Sequence, residues 1–96
     1  MVGAIGHATL IAAGQPGLDA LIEEWTRDVR HKFGDVVSYV GHVHGEPNNI
    51  VIILLLSDEA AFNAFMEQVG SDPWWARFMQ HVDGDVDWET IEVNQV

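Results

Sequence analysis

Residues 50–56 read Ile-Val-Ile-Ile-Leu-Leu-Leu, and this stretch decides the fold that the sequence predicts. Its composition favours a strand, because four of the side chains are β-branched and the run is far too short to span a bilayer. Successive side chains of a strand point to opposite faces of the sheet. A strand without a polar residue is therefore expected to be buried on both faces, which requires one layer of helices and a second apolar layer opposite.

The remainder of the chain predicts the element order β-α-β-β-α-α-β. Apolar runs predict strands at residues 5–13, 36–44 and 86–93, and helical spacing of apolar residues predicts a first helix over residues 18–33 that ends at Gly34. Residues 45–48 are expected to form a hairpin turn before the central strand. Ser57 is expected to cap the second helix, and Asp72 with Pro73 to start a short third helix that ends near residue 81 or 82.

This order predicts one domain over residues 1–96. Its fold class is α+β, a ferredoxin-like βαββ(αα)β sandwich in which a four-stranded antiparallel sheet carries its helices on one face. The sheet face without helices is also apolar and needs a second layer. A second copy of the chain is the simplest source of that layer, so we expect a homodimer.

Composition excludes several classes of function. Four basic residues against fifteen acidic ones give a formal charge of -11, which argues against nucleic acid and anionic membranes as partners. The absence of cysteine excludes disulfides and thiolate chemistry. The start of the chain has no basic segment, and no later stretch is long and apolar enough to cross a bilayer, so a cytoplasmic location is expected.

The element order, the doubly apolar third strand, the phrase Ser-Asp-Glu-Ala-Ala-Phe at residues 57–62 and Asp-Pro-Trp-Trp at residues 72–75 together resemble the dimeric α+β barrel superfamily. The antibiotic-biosynthesis-monooxygenase-like branch is the most similar. The resemblance implies that two sheets pair face to face as an eight-stranded barrel, with a ligand pocket between sheet and helices in each subunit. Members include cofactor-independent quinol oxygenases, haem-degrading enzymes and isomerases, so fold alone does not decide function.

Haem-degrading members of that superfamily carry a Trp where Phe65 stands here, and a haem-ligating His near the position of Trp74. This chain matches neither residue, which disfavours haem degradation. No cofactor is expected.

Histidines are the candidate bases. His42 and His44 share one face of the second predicted strand, about 6–7 Å apart, and His7 could join them to hold a metal, although exposed, unliganded histidines are favoured and no metal is predicted. In the reaction that the resemblance implies, a base removes a phenolic proton and the resulting anion reacts with dioxygen. The candidate catalytic residues are then His42 or His7 as the base and Arg77 to stabilise developing negative charge.

Aromatic side chains are the candidate substrate-binding residues. Trp75 belongs to the apolar stripe of the third helix and is expected to face the sheet, whereas Trp74 lies about 100° away, at a pocket mouth or an interface. Tyr39 and Trp88 lie on strands of the predicted sheet. A wall on which a planar substrate stacks is one interpretation of these residues, and core or interface anchors are the other.

Three functions remain open at this point. The first is a cofactor-independent monooxygenase that acts on a small aromatic or quinol-like molecule. The second is a non-catalytic dimeric protein that binds a small hydrophobic ligand, and the third is a small-molecule isomerase on the same scaffold. Histidines that point into a cavity would favour the enzymes, and histidines that point into solvent would favour the binding protein.

Overall fold

The computed structural model describes residues 1–11 and 15–96, and its element order is the predicted one. The predicted strand end at residues 12–13 and the predicted turn residue Gly14 lie outside the described residues. No helix in the described part of the chain is long and apolar enough to cross a membrane. The elements are β1 (Val2–Thr9), α1 (Gln15–Glu24), a π-helical turn (Trp25–Val29), a 3-10 turn (Arg30–Phe33), β2 (Val37–Val43), β3 (Glu46–Leu56), α2 (Glu59–Gly70), α3 (Pro73–Met79) and β4 (Asp87–Glu92).

The four strands form one sheet in the order β2-β3-β1-β4, and every pair is antiparallel. Its two central strands are β3 and β1, so the most apolar segment of the chain occupies the middle of the sheet. With α1, α2 and α3 packed on one side, this is the predicted α+β ferredoxin-like sandwich, and the prediction is confirmed.

The inner face of the sheet, which contacts the helices, carries the core. Ile50, Ile52, Leu54 and Leu56 of β3 are all buried there. Their neighbours on β1 are small, with Ala4 paired to Leu54 and Ala8 to Ile50. Because a protein interior is close-packed, the space that small residues leave on β1 is filled by large side chains from the helices and from β4.

The outer face is also apolar, as the alternation along β3 requires, but no element among residues 1–11 and 15–96 covers it. Val51, Ile53 and Leu55 are half-buried by their neighbours in the sheet, and Tyr39 of β2 is 61% exposed. Ile5 of β1 pairs with Ile53 at the centre of this face. A large uncovered apolar face of this kind marks an interaction surface.

The hairpin between β2 and β3 is tighter than predicted. Only His44 and Gly45 form the turn, with Gly45 at a φ of 80°, and β3 begins at Glu46. The predicted turn over residues 45–48 is wrong because Glu46 already pairs with Val43 of β2, and the end of β1 with the residue after it supplies partners for residues 48 and 49. The Leu10 N–H donates to the Asn48 carbonyl (2.8 Å) and Thr9 pairs with Asn49, which extends the backbone.

The second and third helices each differ from the prediction in one feature: α3 ends at Met79 rather than at residue 81 or 82, and the cap of α2 is a different residue. Asp58, not Ser57, caps α2, and its carboxylate accepts a hydrogen bond from the Ala61 N–H at 2.8 Å. Asp72 caps α3 as predicted, accepting from the Trp74 N–H at 2.9 Å. The first helix ends before Gly34 as predicted, but its second half widens into the π turn and then tightens into the 3-10 turn.

Candidate functional site

A cavity of about 180 Å³ lies between the inner face of the sheet and the helices. The chain has four tryptophans, and all of them line this cavity. Such convergence of indoles is unusual, since tryptophans in a small domain have many core positions to fill. The lining residues are Ile22, Trp25, Ser38, Val40, Ile52, Leu54, Phe65, Met66, Val69, Gly70, Trp74, Trp75, Phe78 and Trp88.

Two of the indoles are fixed by hydrogen bonds. Trp25 stands at the start of the π turn, and its Nε1–H donates to Ser38 Oγ on β2 at 3.0 Å. Trp74 is only 6% exposed, and its Nε1–H donates to the Leu21 carbonyl of α1 at 2.8 Å. The two ring centroids lie 4.9 Å apart. Both side chains therefore form a rigid end wall, since each has a packed ring and a satisfied polar atom.

The other two indoles are half-buried. Trp75 stacks on Phe78 with ring centroids 5.1 Å apart, and the Trp88 ring lies 6.1 Å from that of Trp75 at a tilt of 34°. Sequence reasoning placed Trp75 against the sheet and Trp74 at the mouth, and the structure reverses their burial. Which of the two indoles is more buried depends on the rotation of α3 about its axis. The hydrogen bond from Trp74 to the Leu21 carbonyl fixes that rotation.

Gly6 makes room for the Trp88 ring. The two residues pair across β1 and β4, and a Cβ on Gly6 would lie 2.7 Å from Trp88 Cζ3 and 2.8 Å from Val86 Cγ1. Carbon atoms do not approach so closely, so the ring of Trp88 rests where a side chain on β1 would otherwise stand.

Substituting Gly6→Ala is therefore expected to displace the Trp88 ring and to lower the free energy of unfolding by about 1–3 kcal/mol, the usual cost of overpacking. Urea unfolding followed by tryptophan fluorescence would measure both effects. Gly41→Ala on β2 is the matched control, because a Cβ there meets no atom within 4 Å. Equal stability of the two variants would contradict the packing role of Gly6.

The cavity has almost no polar chemistry of its own. No titratable side chain is present in its lining within residues 1–11 and 15–96, and Ser38 contributes the one hydroxyl. A ligand here would meet rings and aliphatic carbon, with water largely excluded. The site can hold and stack an apolar molecule, but its lining residues cannot transfer a proton at neutral pH.

The structure places neither candidate base in this lining. His7 lies on the outer face, paired with Asp87 of β4, and faces a second cavity of about 420 Å³ that also includes Asp83 and Asp85. His42 is exposed on β2, opposite Ile50. Across the described ranges, no three His, Asp or Glu side chains are arranged to hold a metal ion. A base role for either histidine stays a prediction that the structure does not test.

Arg77, the third candidate catalytic residue, holds α3 to α1. Its guanidinium donates two hydrogen bonds to the Glu24 carboxylate. Arg77 Nη1 donates to Glu24 Oε1 at 2.7 Å, and Arg77 Nη2 donates to Glu24 Oε2. The hydrogen bond from Arg77 is the main reason that the pKa of Glu24 lies below its ordinary value, and the pKa of Arg77 is raised in return. Arg77 is outside the cavity lining, so its side chain braces the helices that form the wall.

Of the predicted substrate-binding residues, the structure brings Trp74, Trp75 and Trp88 together and leaves Tyr39 on the outer face of the sheet. The predicted substrate-binding residues include neither Trp25 nor Ser38. One signal for Ser38 was available. It has the same strand parity as Val40 and the opposite parity to Tyr39, so it is a polar residue on the helix-facing side of β2.

Comparisons with known proteins give structural matches only. No family model matches the chain, and no curated protein matches it. A crystal structure of an antibiotic biosynthesis monooxygenase superposes with a TM-score of 0.74 at 13% identity, covering 99% of this chain and 100% of that one. SnoaB, a cofactor-independent oxygenase from Streptomyces nogalater, gives 0.73 at 15% identity, with 99% and 94% covered.

An uncharacterized NIPSNAP domain protein from Burkholderia xenovorans also superposes, with a TM-score of 0.70 at 13% identity, covering 98% of this chain and 95% of that one. At such low identity these matches establish the fold and not the activity. At the level of the fold, the resemblance drawn from the sequence is confirmed: the chain has the fold of solved structures described as antibiotic biosynthesis monooxygenases.

Proposed function

We propose that this protein binds a small, planar, apolar molecule in the cavity between its sheet and its helices. The observation that carries the proposal is the convergence of all four tryptophans on that one cavity. Aromatic rings offer a planar ligand stacking surfaces, and a mostly apolar lining with very few polar groups is typical of small-molecule sites.

The volume sets the size of the ligand. An apolar protein cavity of about 150 Å³ is large enough for benzene. The cavity of about 180 Å³ therefore fits a single substituted ring or a compact pair of rings. Trp75 and Trp88 are half-buried, so they form the more accessible side of the cavity.

Titration of ethylbenzene into the protein, followed by calorimetry, tests this proposal. We expect saturable binding, and we expect Trp75→Ala to weaken it roughly tenfold, because the substitution removes a stacking surface. Tyr39→Ala is the matched control, since it removes an aromatic ring from the opposite face of the sheet. No saturable binding by the wild-type protein, or equal affinities in the two variants, would contradict the proposal.

A second function, cofactor-independent oxygenation, is favoured by the likeness to the Streptomyces nogalater oxygenase. For a naphthol, the overall reaction would consume one dioxygen and yield a naphthoquinone and one water. Since no base lines the cavity in the described chain, the substrate would lose its proton at the mouth. An isomerase moves protons within its substrate and therefore needs an acid or a base. The described lining contains neither.

Oxygen consumption with 1-naphthol distinguishes the oxygenase from the binding protein. An oxygenase would accelerate uptake above the uncatalysed rate, and the acceleration would depend on Trp75. His42→Ala and His7→Ala would each leave turnover unchanged if the solvent removes the proton. Loss of turnover in either variant would instead support the base role predicted from the sequence.

We also propose that the protein is a homodimer whose subunits pair through their outer sheet faces. Val51, Ile53 and Leu55 support this pairing, because they form an apolar row that no helix in the described part of the chain covers. The paired sheets would form the eight-stranded barrel that is expected from the sequence.

A further inference from the structure

Ser38 is the polar exception in an otherwise apolar cavity. It lies on the inner face of β2 and pairs with Leu54 of β3. Its Oγ accepts the hydrogen bond from Trp25 Nε1–H at 3.0 Å, which fixes where the oxygen stands relative to the indole wall. A hydroxyl at this position can form a directional hydrogen bond with a ligand, whereas the other lining residues recognise only the ligand's shape.

The hydroxyl hydrogen of Ser38 donates no hydrogen bond to another residue of the described chain. A serine hydroxyl carries one donor hydrogen and two acceptor lone pairs. Trp25 occupies one lone pair, and no acceptor for the hydrogen is found among the residues that the structure describes. In the empty cavity water can take this hydrogen bond. A ligand that fills the cavity removes the water and must replace the acceptor or leave the donor unpaired, which carries a desolvation cost.

We propose that the natural ligand carries a neutral carbonyl oxygen that accepts a hydrogen bond from Ser38, so that Ser38 determines specificity for aryl ketones and quinones over plain hydrocarbons. This inference rests on the proposed binding function and names its ligand class.

Charge argues for a neutral acceptor rather than a carboxylate. No lysine, arginine or histidine of the described chain lines the cavity, so an anionic group would be buried without a partner. The formal charge of -11 also lowers the local concentration of anions at the protein surface. A carbonyl needs only one donor, and Ser38 supplies one.

The matched ligands acetophenone and ethylbenzene test the inference, since they differ by a carbonyl in place of a methylene. Calorimetry would measure both affinities in the wild-type protein, in Ser38→Ala and in Ser38→Thr. We expect Ser38→Ala to lower the affinity for acetophenone, relative to that for ethylbenzene, by about 3- to 10-fold, the value of one neutral hydrogen bond. Ser38→Thr keeps the hydroxyl and is expected to keep the wild-type ratio. Using the ratio cancels the different solubilities of the two ligands in water.

The outcomes separate this inference from the proposed function. If ethylbenzene binds and the ratio is unchanged in Ser38→Ala, the role of Ser38 is overturned while the binding site stands. If both affinities fall equally, Ser38 acts through packing alone and the inference is likewise overturned. If neither ligand binds the wild-type protein, the proposed function fails, and the inference with it.

An infrared measurement keeps the inference testable even if Ser38→Ala does not fold. The carbonyl stretch of isotopically labelled acetophenone, bound to the wild-type protein, is expected at a lower frequency than in hexane, because the hydrogen bond weakens the C=O bond. A bound carbonyl with the frequency that it has in hexane would overturn the proposal.

Discussion

Ile53→Glu is expected to convert the protein from a dimer to a folded monomer. Ile53 lies at the centre of the outer sheet face, paired with Ile5 on one side and Tyr39 on the other. A carboxylate there would be buried without a partner in the proposed dimer, at a cost of several kcal/mol. A two-fold interface repeats the substitution on both subunits, so the dissociation constant should rise by at least about 100-fold.

The monomer should remain folded because the outer face contributes little to the core. The residues that hold the helices to the sheet are the inner-face residues, including Ile52 and Leu54, and Ile53 points away from them. Light scattering at micromolar concentration measures the change in mass, and circular dichroism checks the fold.

Gln68→Glu is the control for the dimer prediction, since it adds the same charge on an exposed position of α2. We expect it to remain dimeric. A wild-type protein that is a compact monomer at micromolar concentration would contradict the proposed barrel, and a dimer that survives Ile53→Glu would place the interface on another surface.

Phe78→Ala is expected to lower the free energy of unfolding by about 3–5 kcal/mol, the usual cost of removing a buried phenylalanine. Phe78 is only 1% exposed, and its ring stacks on those of both Trp74 and Trp75, with centroids 5.5 Å and 5.1 Å away. Its removal leaves a void under α3 and takes away the support that orients the cavity wall. Such a loss is a large fraction of the stability of a typical domain.

Phe78→Leu is the matched control, because it keeps an apolar side chain of similar volume and is expected to cost less than half as much. Equilibrium unfolding in urea gives both values. Ethylbenzene affinity provides a second measurement, since only the alanine variant should disturb Trp75. A cost below about 1 kcal/mol for Phe78→Ala would show that the site collapses around the missing ring and that the wall is not rigid.

Local sequence signals predicted one helix start and one helix end correctly, although the cap of α2 is Asp58 rather than Ser57. Asp72 and Pro73 mark the start of α3, and Gly34 ends the first helical segment at a φ of 77°, because caps and backbone preferences act within a few residues. The start of β3 was misplaced because Thr9 of β1 and the following Leu10 hold residues 48 and 49 in extended form, and contacts so distant along the chain leave no local signal.

The predicted burial of Trp74 and Trp75 was wrong, because it depends on an orientation that helical spacing does not give. Helical spacing identified Trp74 and Trp75 as neighbours near the sheet, but the burial of each depends on the rotation of α3. That rotation is fixed by the bond from Trp74 to Leu21, which is 53 positions away in sequence. The role of Trp25 depends likewise on the π turn, which brings its indole to Ser38.

By itself, the sequence determined the order of strands and helices, the apolar character of both sheet faces and the net negative charge. These follow from periodicity and composition, which each segment carries alone. Tertiary structure decided that four indoles meet at one cavity, that Ser38 presents the one hydroxyl there and that His7 and His42 lie outside it. The reason is geometric: which side chains share a cavity depends on strand register and helix rotation, and the packing of distant segments sets both.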